Sequence, residues 1–390
     1  MIGHGLGERD QRPRVSSRRN QTDSQIPESA KMGIESAIRE RVRLAPYTTL
    51  GIGGPARYFV EAFSDEDVMD AADWAADRSM PLFILGGGSN VLVADDGFPG
   101  LVLRVALRGI SAEADDDRML VTAGAGEDWD RFVAFCVERE LAGLECLSGI
   151  PGLVGGTPVQ NVGAYGQEVS QTITAVRIYD RHTREIFTLI NSACKFGYRN
   201  SIFNTTARDR YIVLAVTFAL QPHGEPALLY PDLKNHFADQ SQPSLAAVRA
   251  AVIAIRARKA MVITPGDPDS KSVGSFFKNP VVTADKFKEI VEAAKKHRLI
   301  RRAEEIPRFD APGRKIKIPA AWLIERAGFQ KGFHRGRVGI SSKHTLALVN
   351  RNGATAQEML MLMREIQQSV NERFGVMLAP EPVFVSAEGW

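Results

Sequence analysis

The sequence predicts an α+β protein of two or three domains, and three observations lead there. A chain of 390 residues with 44% hydrophobic and 24% charged residues is an ordinary globular composition, too long for one simple core. From residue 57 the apolar pattern alternates as β-α-β, whereas residues 175–220 are rich in strand-like runs with hairpin punctuation. Glycine-rich breaks interrupt this pattern at 86–88 and again from 143 to 166.

Residues 1–33 are rich in Gly, Arg, Ser, Gln and Asp, have little to bury, and are expected to form a disordered extension, with Met32 a candidate natural start. In the first unit, 57–62 is a strand, and Ser64 with Asp67 opens a helix to 77 as a capping-box variant. Residues 81–85 are a short buried strand and 100–105 another. The second unit, from 108, holds a strand at 119–123, a helix at 129–140, and a hairpin of 175–179 and 185–189 around 180–183. A strong strand at 210–220 and a helix at 244–258 complete it. The third unit starts at Lys259, with an extended segment at 272–281, helices at 285–297 and 320–327 (closed by Gly328), a strand at 345–350 and a helix at 354–374. The final segment, 376–385, reads as a strand free to return to an earlier unit. The expected division is therefore 34–107 with 376–390, then 108–258, then 259–375.

Composition excludes several classes. A net charge of +3 with no run of interleaved basic and aromatic residues gives no nucleic-acid surface. Three cysteines, Cys136, Cys146 and Cys194, lack disulfide or zinc spacing and point to a reducing compartment, the cytoplasm; Cys136 reads as a small core residue. The seven histidines lack metal spacing as well. No apolar run reaches the roughly 18 residues of a membrane span, and the N-terminus has no apolar signal region.

The chemistry resides in loops. Gly86-Gly87-Gly88-Ser89-Asn90 directly follows a strand; without Cβ atoms it can turn sharply and aim N–H groups at one concavity. It has neither the lysine of a P-loop nor Rossmann spacing, so it reads equally as a phosphate cradle or a tight connection. The second glycine segment, Gly149-Ile150-Pro151-Gly152-Leu153-Val154-Gly155-Gly156 and then Gln160-Asn161-Val162-Gly163-Ala164-Tyr165-Gly166, shifts that balance, because two such loops in neighbouring units suit an extended dinucleotide.

Seven segments in order now resemble one family, the UDP-N-acetylenolpyruvoylglucosamine reductases. They are Thr49-Leu50-Gly51-Ile52-Gly53-Gly54, the Gly86–Asn90 loop, the segments 149–156 and 161–166, Phe196-Gly197-Tyr198-Arg199-Asn200-Ser201-Ile202-Phe203, Gly274-Ser275-Phe276-Phe277-Lys278-Asn279-Pro280, and Pro380-Glu381. The resemblance spans about residues 40–385. It implies a vanillyl-alcohol-oxidase-type fold, in which two α+β subdomains bind FAD and a C-terminal α+β domain binds substrate. It also implies an oxidoreductase in which NADPH reduces FAD and the flavin reduces the enolpyruvyl ether to UDP-N-acetylmuramate, a step of bacterial peptidoglycan precursor synthesis. A monomer is the family default. A general flavin oxidase would have no reason to carry the 274–279 motif, and a flavin-binding protein without turnover would not be reduced by NADPH.

By this resemblance, FAD contacts fall on Gly86, Gly87, Gly88, Ser89, Asn90, Gly149, Ile150, Gly155, Gly156, Asn161, Gly163, Ala164 and Tyr165. The 160–166 loop has no His or Cys to tether flavin, so the FAD is expected to be non-covalent. Arg199, taken alone, reads as a surface arginine; in its motif it is the fixed cation for the substrate carboxylate. Ser275, taken alone, caps a turn; in its motif it is the proton donor, effective only beside a strongly basic carbanion. Glu381 is the third catalytic member, and its role favours a raised pKa. Here the sequence departs from many relatives, which follow this glutamate with Val-Arg, whereas Pro382-Val383 follows in this chain. Tyr230, Lys259 and Asn279 match contacts to the UDP diphosphate, and Lys278 is a further phosphate neighbour. His344 fits a family stretch without a role.

Overall fold

The computed structural model describes residues 33–239 and 242–387; the extension called at 1–33 therefore lies outside the described residues except for Gly33. The first sheet has four strands in the order Arg39–Arg43, Pro55–Ala62, Phe98–Val105, Leu82–Leu85. The last three run parallel, as a β-α-β crossover requires, and the helix Asp65–Asp77 covers them. That helix starts where Ser64 and Asp67 cap each other reciprocally, and it buries Val68, Ala71, Ala72 and Ala75, the i, i+3, i+4, i+7 stripe of an amphipathic helix.

The second sheet is antiparallel, in the order Glu185–Ile190, Ile173–Asp180, Tyr211–Pro222, Arg118–Gly124, Ile110–Asp115, with Leu141–Ala142 pairing the far end of Tyr211–Pro222. Helix Trp129–Glu138, capped by Asp128, packs Trp129 and Phe132 against Phe218 of the long strand at ring separations of 5.9 and 5.1 Å. Helix Leu245–Arg258 is capped by Ser244. The remaining core gathers around helices Ala284–Lys296, Ala320–Arg326 and Ala356–Phe374, with Phe276, Phe277, Trp322 and Phe374 buried among them. Leu50, Ile52 and Leu92 belong to that same core, so the first and third units share buried apolar surface. All three cysteines are buried, and burial pushes the Cys136 thiol up to about 12.

Two expected strands are shorter in the structure, and the extended segment at 272–281 pairs only sparsely. Residues 272–281 form a strand only at Val281–Val282, with single bridges at Ser272–Val349 and Phe277–Pro380. Their backbone bonds are divided among Leu346, Ala379 and Glu381 instead of running along one partner. The 345–350 strand contracts to Leu348–Asn350 and the C-terminal one to Val383–Val385, which pairs in parallel with Val91–Val93. Two edge strands gave no apolar signal: Arg39–Arg43 and Ile110–Asp115 are charged and exposed, as unpaired sheet edges tend to be.

Candidate active site

The two glycine loops meet backbone to backbone. A Cβ built on Gly87 would lie 2.7 Å from Gly152 Cα and 3.0 Å from its carbonyl carbon, so only a glycine fits there without moving the second loop. The Gly88 carbonyl accepts the Thr49 N–H at 3.0 Å, tying the loop to the first motif. Gly86 and Gly156 differ: a Cβ on either would meet nothing within 4 Å, which leaves their backbones open to a ligand.

Buried charge fixes the second loop. Asp130 accepts the Gly149 N–H at 2.6 Å while Arg249 bonds both of its oxygens, at 2.6 and 2.8 Å. Burial works to raise the Asp130 pKa, but the bonds from Arg249 and Gly149 outweigh it and hold the carboxyl below its ordinary value. Arg256, almost fully buried, donates to the Gly149 and Met261 carbonyls at 3.2 and 2.9 Å. Further along, Gly155 N–H bonds the Ala125 carbonyl at 2.9 Å, and Ile150 packs against the main core. Rigid, open glycine backbone facing a gap between units is a cradle suited to a pyrophosphate, so the residues present fit FAD.

The 161–166 segment folds back as a small hairpin, Gly163–Ala164 against Gln167–Glu168. Asn161, at φ 45°, is buried and uses its side chain on Glu168, Gly197 and the Ser170 N–H; it shapes the loop. Tyr165 packs beside the diphosphate candidates. Its ring meets Tyr230 edge-on at 5.4 Å, with the Lys259 ammonium 5.9 Å from its centre. Asn90 donates from Nδ2 to Gln160 at 2.8 Å and to the Glu381 carbonyl at 3.2 Å, and its own carbonyl accepts the Val383 N–H. The first glycine loop thus ends at Glu381.

Arg199, Ser275 and Glu381 come from three separate parts of the chain and converge. Arg199, in the left-handed region at φ 53°, donates from Nη2 to the Gly163 carbonyl at 2.7 Å and places Nε 3.1 Å from Glu381 Oε1. The Glu381 N–H bonds the Phe276 carbonyl at 2.9 Å, so Ser275 immediately precedes Glu381's backbone partner. Among the described residues the Ser275 hydroxyl has no hydrogen-bond partner. Burial raises the Glu381 pKa above its ordinary value, against opposing pulls from Arg199 and Lys278. Lys278 is therefore the second cation acting on this carboxyl, in a chain that lacks an arginine after it.

The diphosphate candidates do not all cluster. Tyr230 and Lys259 stand together over Tyr165, with Lys259 paired to Asp232 at 2.7 Å. Asn279 lies elsewhere, beside Tyr198, and its Oδ1 accepts the Ala320 N–H at 2.8 Å, capping a helix. His344 is half-buried; desolvation together with Lys259 and Lys331 pushes it down to about 4. Sequence reasoning missed the positioning work of Arg256, Asp130 and Gln160. Only Gln160 left a trace, inside the second glycine segment, and nothing there marked its bond to Asn90.

The domain composition defines a class first. Residues 56–188 match the FAD binding domain family and residues 267–385 match the family described as UDP-N-acetylenolpyruvoylglucosamine reductase, C-terminal domain, which makes this an FAD-binding oxidoreductase of mixed α and β structure. The chain is 46% identical over 363 residues to the UDP-N-acetylenolpyruvoylglucosamine reductase of Thermobifida fusca, covering 90% of this chain and 98% of that one. The reductase of Mycobacterium tuberculosis is 42% identical over 365 residues, 89% and 95% of the two chains. The crystal structure of the Thermus caldophilus reductase superposes with a TM-score of 0.61 at 27% identity, covering 90% of this chain and all of that one. The chain belongs to the UDP-N-acetylenolpyruvoylglucosamine reductase family.

Proposed function

We propose that the protein reduces the enolpyruvyl ether of UDP-N-acetylglucosamine enolpyruvate to UDP-N-acetylmuramate, with NADPH as the electron source, in peptidoglycan precursor synthesis. The observation that carries this reading is the Arg199–Glu381 contact at 3.1 Å, set beside the Ser275–Phe276 backbone at the end of the first glycine loop. In this reading units 34–107 with the C-terminal strand, and 108–258, hold FAD across Gly86–Asn90 and Gly149–Gly156, while 259–375 carries the substrate. When bound, the flavin supplies the hydride that the reaction adds to the terminal carbon of the double bond.

The chain's own residues handle the charge and the proton. Hydride addition at the terminal carbon leaves negative charge on the adjacent carbon and its carboxylate. The Arg199 guanidinium is held by the Gly163 carbonyl and has donors left to bind that carboxylate in two bonds. Glu381, with its pKa raised by burial, shares a hydrogen bond with the developing enolate. The unpartnered Ser275 hydroxyl gives its proton to the adjacent carbon, completing the C–H bond. Tyr230, Lys259 and, more remotely, Asn279 take the diphosphate. Such a protein works in the cytoplasm, where NADPH and nucleotide sugars are found, and as a monomer. No helix among the described residues is long and apolar enough to cross a membrane.

The test is anaerobic. NADPH should bleach the flavin absorbance, and added UDP-N-acetylglucosamine enolpyruvate should restore it. Bleached flavin that the substrate cannot reoxidise sinks the proposal. Flavin that stays with the acid-precipitated protein would contradict non-covalent binding.

A further inference from the structure

Glu145 is a buried carboxyl that the chemistry described so far leaves unused. It stands in the short 3₁₀ turn Glu145–Leu147, just ahead of Gly149, and is fully buried. A carboxyl in such a place is costly unless its oxygens are hydrogen-bonded. Both are: Oε2 accepts the Gly143 N–H at 2.8 Å, while Oε1 accepts Gln167 Nε2 at 2.7 Å and the Ala227 N–H at 2.9 Å. The turn itself is fixed, since Ser148 Oγ bonds the Glu145 carbonyl at 2.7 Å.

Only Gly143 among these donors is local. Gln167 lies in the hairpin with Gly163–Ala164, whose Gly163 carbonyl holds Arg199. Both ends of its amide are engaged, because Gln167 Oε1 accepts the Cys146 N–H at 2.8 Å while Nε2 serves Glu145. Ala227 lies in the irregular run 224–229 that leads to Tyr230. Among the described residues, Ala227 makes the only hydrogen bonds of the 225–229 backbone: its N–H donates to Glu145, and its carbonyl accepts the Cys146 thiol at 3.2 Å. Beyond it the chain is placed by packing. Leu228 joins the cluster of Cys146, Tyr165, Leu233 and Phe237, and Leu229 crosses Gly166 so closely that a Cβ there would lie 2.9 Å from its own. Tyr230 then meets Tyr165 edge-on and precedes the helix Pro231–His236.

One oxygen therefore joins two segments that carry different candidate substrate contacts. Arg199 is tied to the hairpin, Tyr230 follows the irregular run, and Glu145 Oε1 bonds both segments. A run with so few backbone bonds opens at little cost in free energy, so a single buried anchor has leverage over where it lies. A shift of about 1 Å in a positioning group is enough to weaken what it holds. The carboxyl suits this place because it only accepts; a glutamine there would turn its NH₂ toward at least one of the N–H groups.

We propose that Glu145 is a positioning residue for substrate binding, setting the Tyr230 loop in register with the Arg199 hairpin so that the diphosphate contact and the carboxylate contact stand at a fixed separation. This rests on the proposed function in taking Tyr230 and Arg199 as substrate contacts.

The test measures KM and kcat for the enolpyruvyl substrate in the full chain carrying FAD. Glu145→Ala removes all three bonds and should raise KM about tenfold, the worth of one well-made hydrogen bond, with kcat within about twofold of wild type. Glu145→Gln can still point its oxygen at Gln167 and Ala227, giving up only Gly143, and should recover most of that loss. In the Tyr230→Phe background, where the hydroxyl to be positioned is gone, Glu145→Ala should raise KM about threefold or less. A larger rise there overturns the proposal, because a carboxyl that only stabilises the fold has no reason to act through Tyr230. So does an unchanged KM in Glu145→Ala, or no recovery in Glu145→Gln. If Glu145→Ala loses FAD or fails to fold, Ala227→Pro removes the N–H of the loop while leaving the carboxyl in place, and decides in both backgrounds with the same expectations. An unaltered chain that does not reduce the substrate overturns the proposed function instead.

Discussion

Two adjacent glycines in the first loop make a matched experiment. At Gly87 a methyl group would sit 2.7 Å from Gly152 Cα and 3.0 Å from its carbonyl carbon, well inside the 3.5–4.0 Å of an ordinary carbon contact. Neither neighbour is a side chain that can swing aside, so Gly87→Ala must push the two loops apart by about 1 Å. Overpacking of that kind costs about 1–3 kcal/mol. At Gly86 the same methyl meets nothing within 4 Å, and the residue does not adopt the left-handed backbone that would strain alanine. Gly86→Ala should therefore leave the apoprotein within about 0.5 kcal/mol of wild type. If a pyrophosphate lies on the Gly86 backbone, however, the methyl occupies its place, and FAD affinity should fall tenfold or more. Urea unfolding of the apoproteins and fluorimetric FAD titration separate the two effects. A Gly86→Ala protein that binds FAD as well as wild type would refute the cradle. A Gly87→Ala apoprotein of unchanged stability would refute the contact between the loops.

The catalytic residues give three further outcomes. Ser275→Ala should leave flavin reduction by NADPH nearly intact and slow reoxidation by the enolpyruvyl substrate about 10²–10⁴-fold in stopped-flow absorbance, the usual worth of a positioned acid; equal loss of both half-reactions would count against the role. Arg199→Lys keeps the charge but cannot serve the Gly163 carbonyl, Glu381 and a carboxylate together, so kcat/KM should fall about 10–100-fold, and a near-wild-type value would show the fork to be unnecessary. Glu381→Gln should change how stability varies with pH. A carboxyl whose folded pKa is raised above 4.5 stabilises the fold below that pH, and this stabilisation is lost as pH rises through the folded value. Glutamine has no such loss, so the variant should gain on wild type between pH 4.5 and neutrality in urea titrations, and parallel curves would show an unperturbed carboxyl.

What the sequence revealed was the chemistry carried by local pattern. Ser64 and Asp67 announce their helix because the capping box is complete within four residues. The glycine loops announce themselves because glycine there serves no core. Charged edges such as Arg39–Arg43 stayed hidden because a strand with one unpaired side needs no apolar alternation. The positioning residues stayed hidden for a different reason. Asp130 and Arg249 are 119 positions apart and look like surface charges until folding sets them under Gly149. Asn279 illustrates the converse: its motif suggested a ligand contact, but its carboxamide oxygen is engaged by the Ala320 N–H and its side chain also bonds Tyr198.

Arg199 and Glu381 show why the site needs all three units. An ion pair this enclosed, with side chains 21% and 14% exposed, loses much of its hydration, and its mutual attraction alone does not restore what is lost. Two features limit the loss. The guanidinium is also bonded to the Gly163 carbonyl, and the raised pKa of Glu381 reduces the buried negative charge. The backbone around Glu381 is fixed independently of the pair, by the Phe276 carbonyl on one side and Asn90 on the other. The carboxyl is thus held by the first and third units, whereas the arginine is held by the second. The pair can therefore remain weak in itself and still report on whether the cofactor loop and the substrate side are in register, because the scaffold supplies the geometry that the charges alone could not hold.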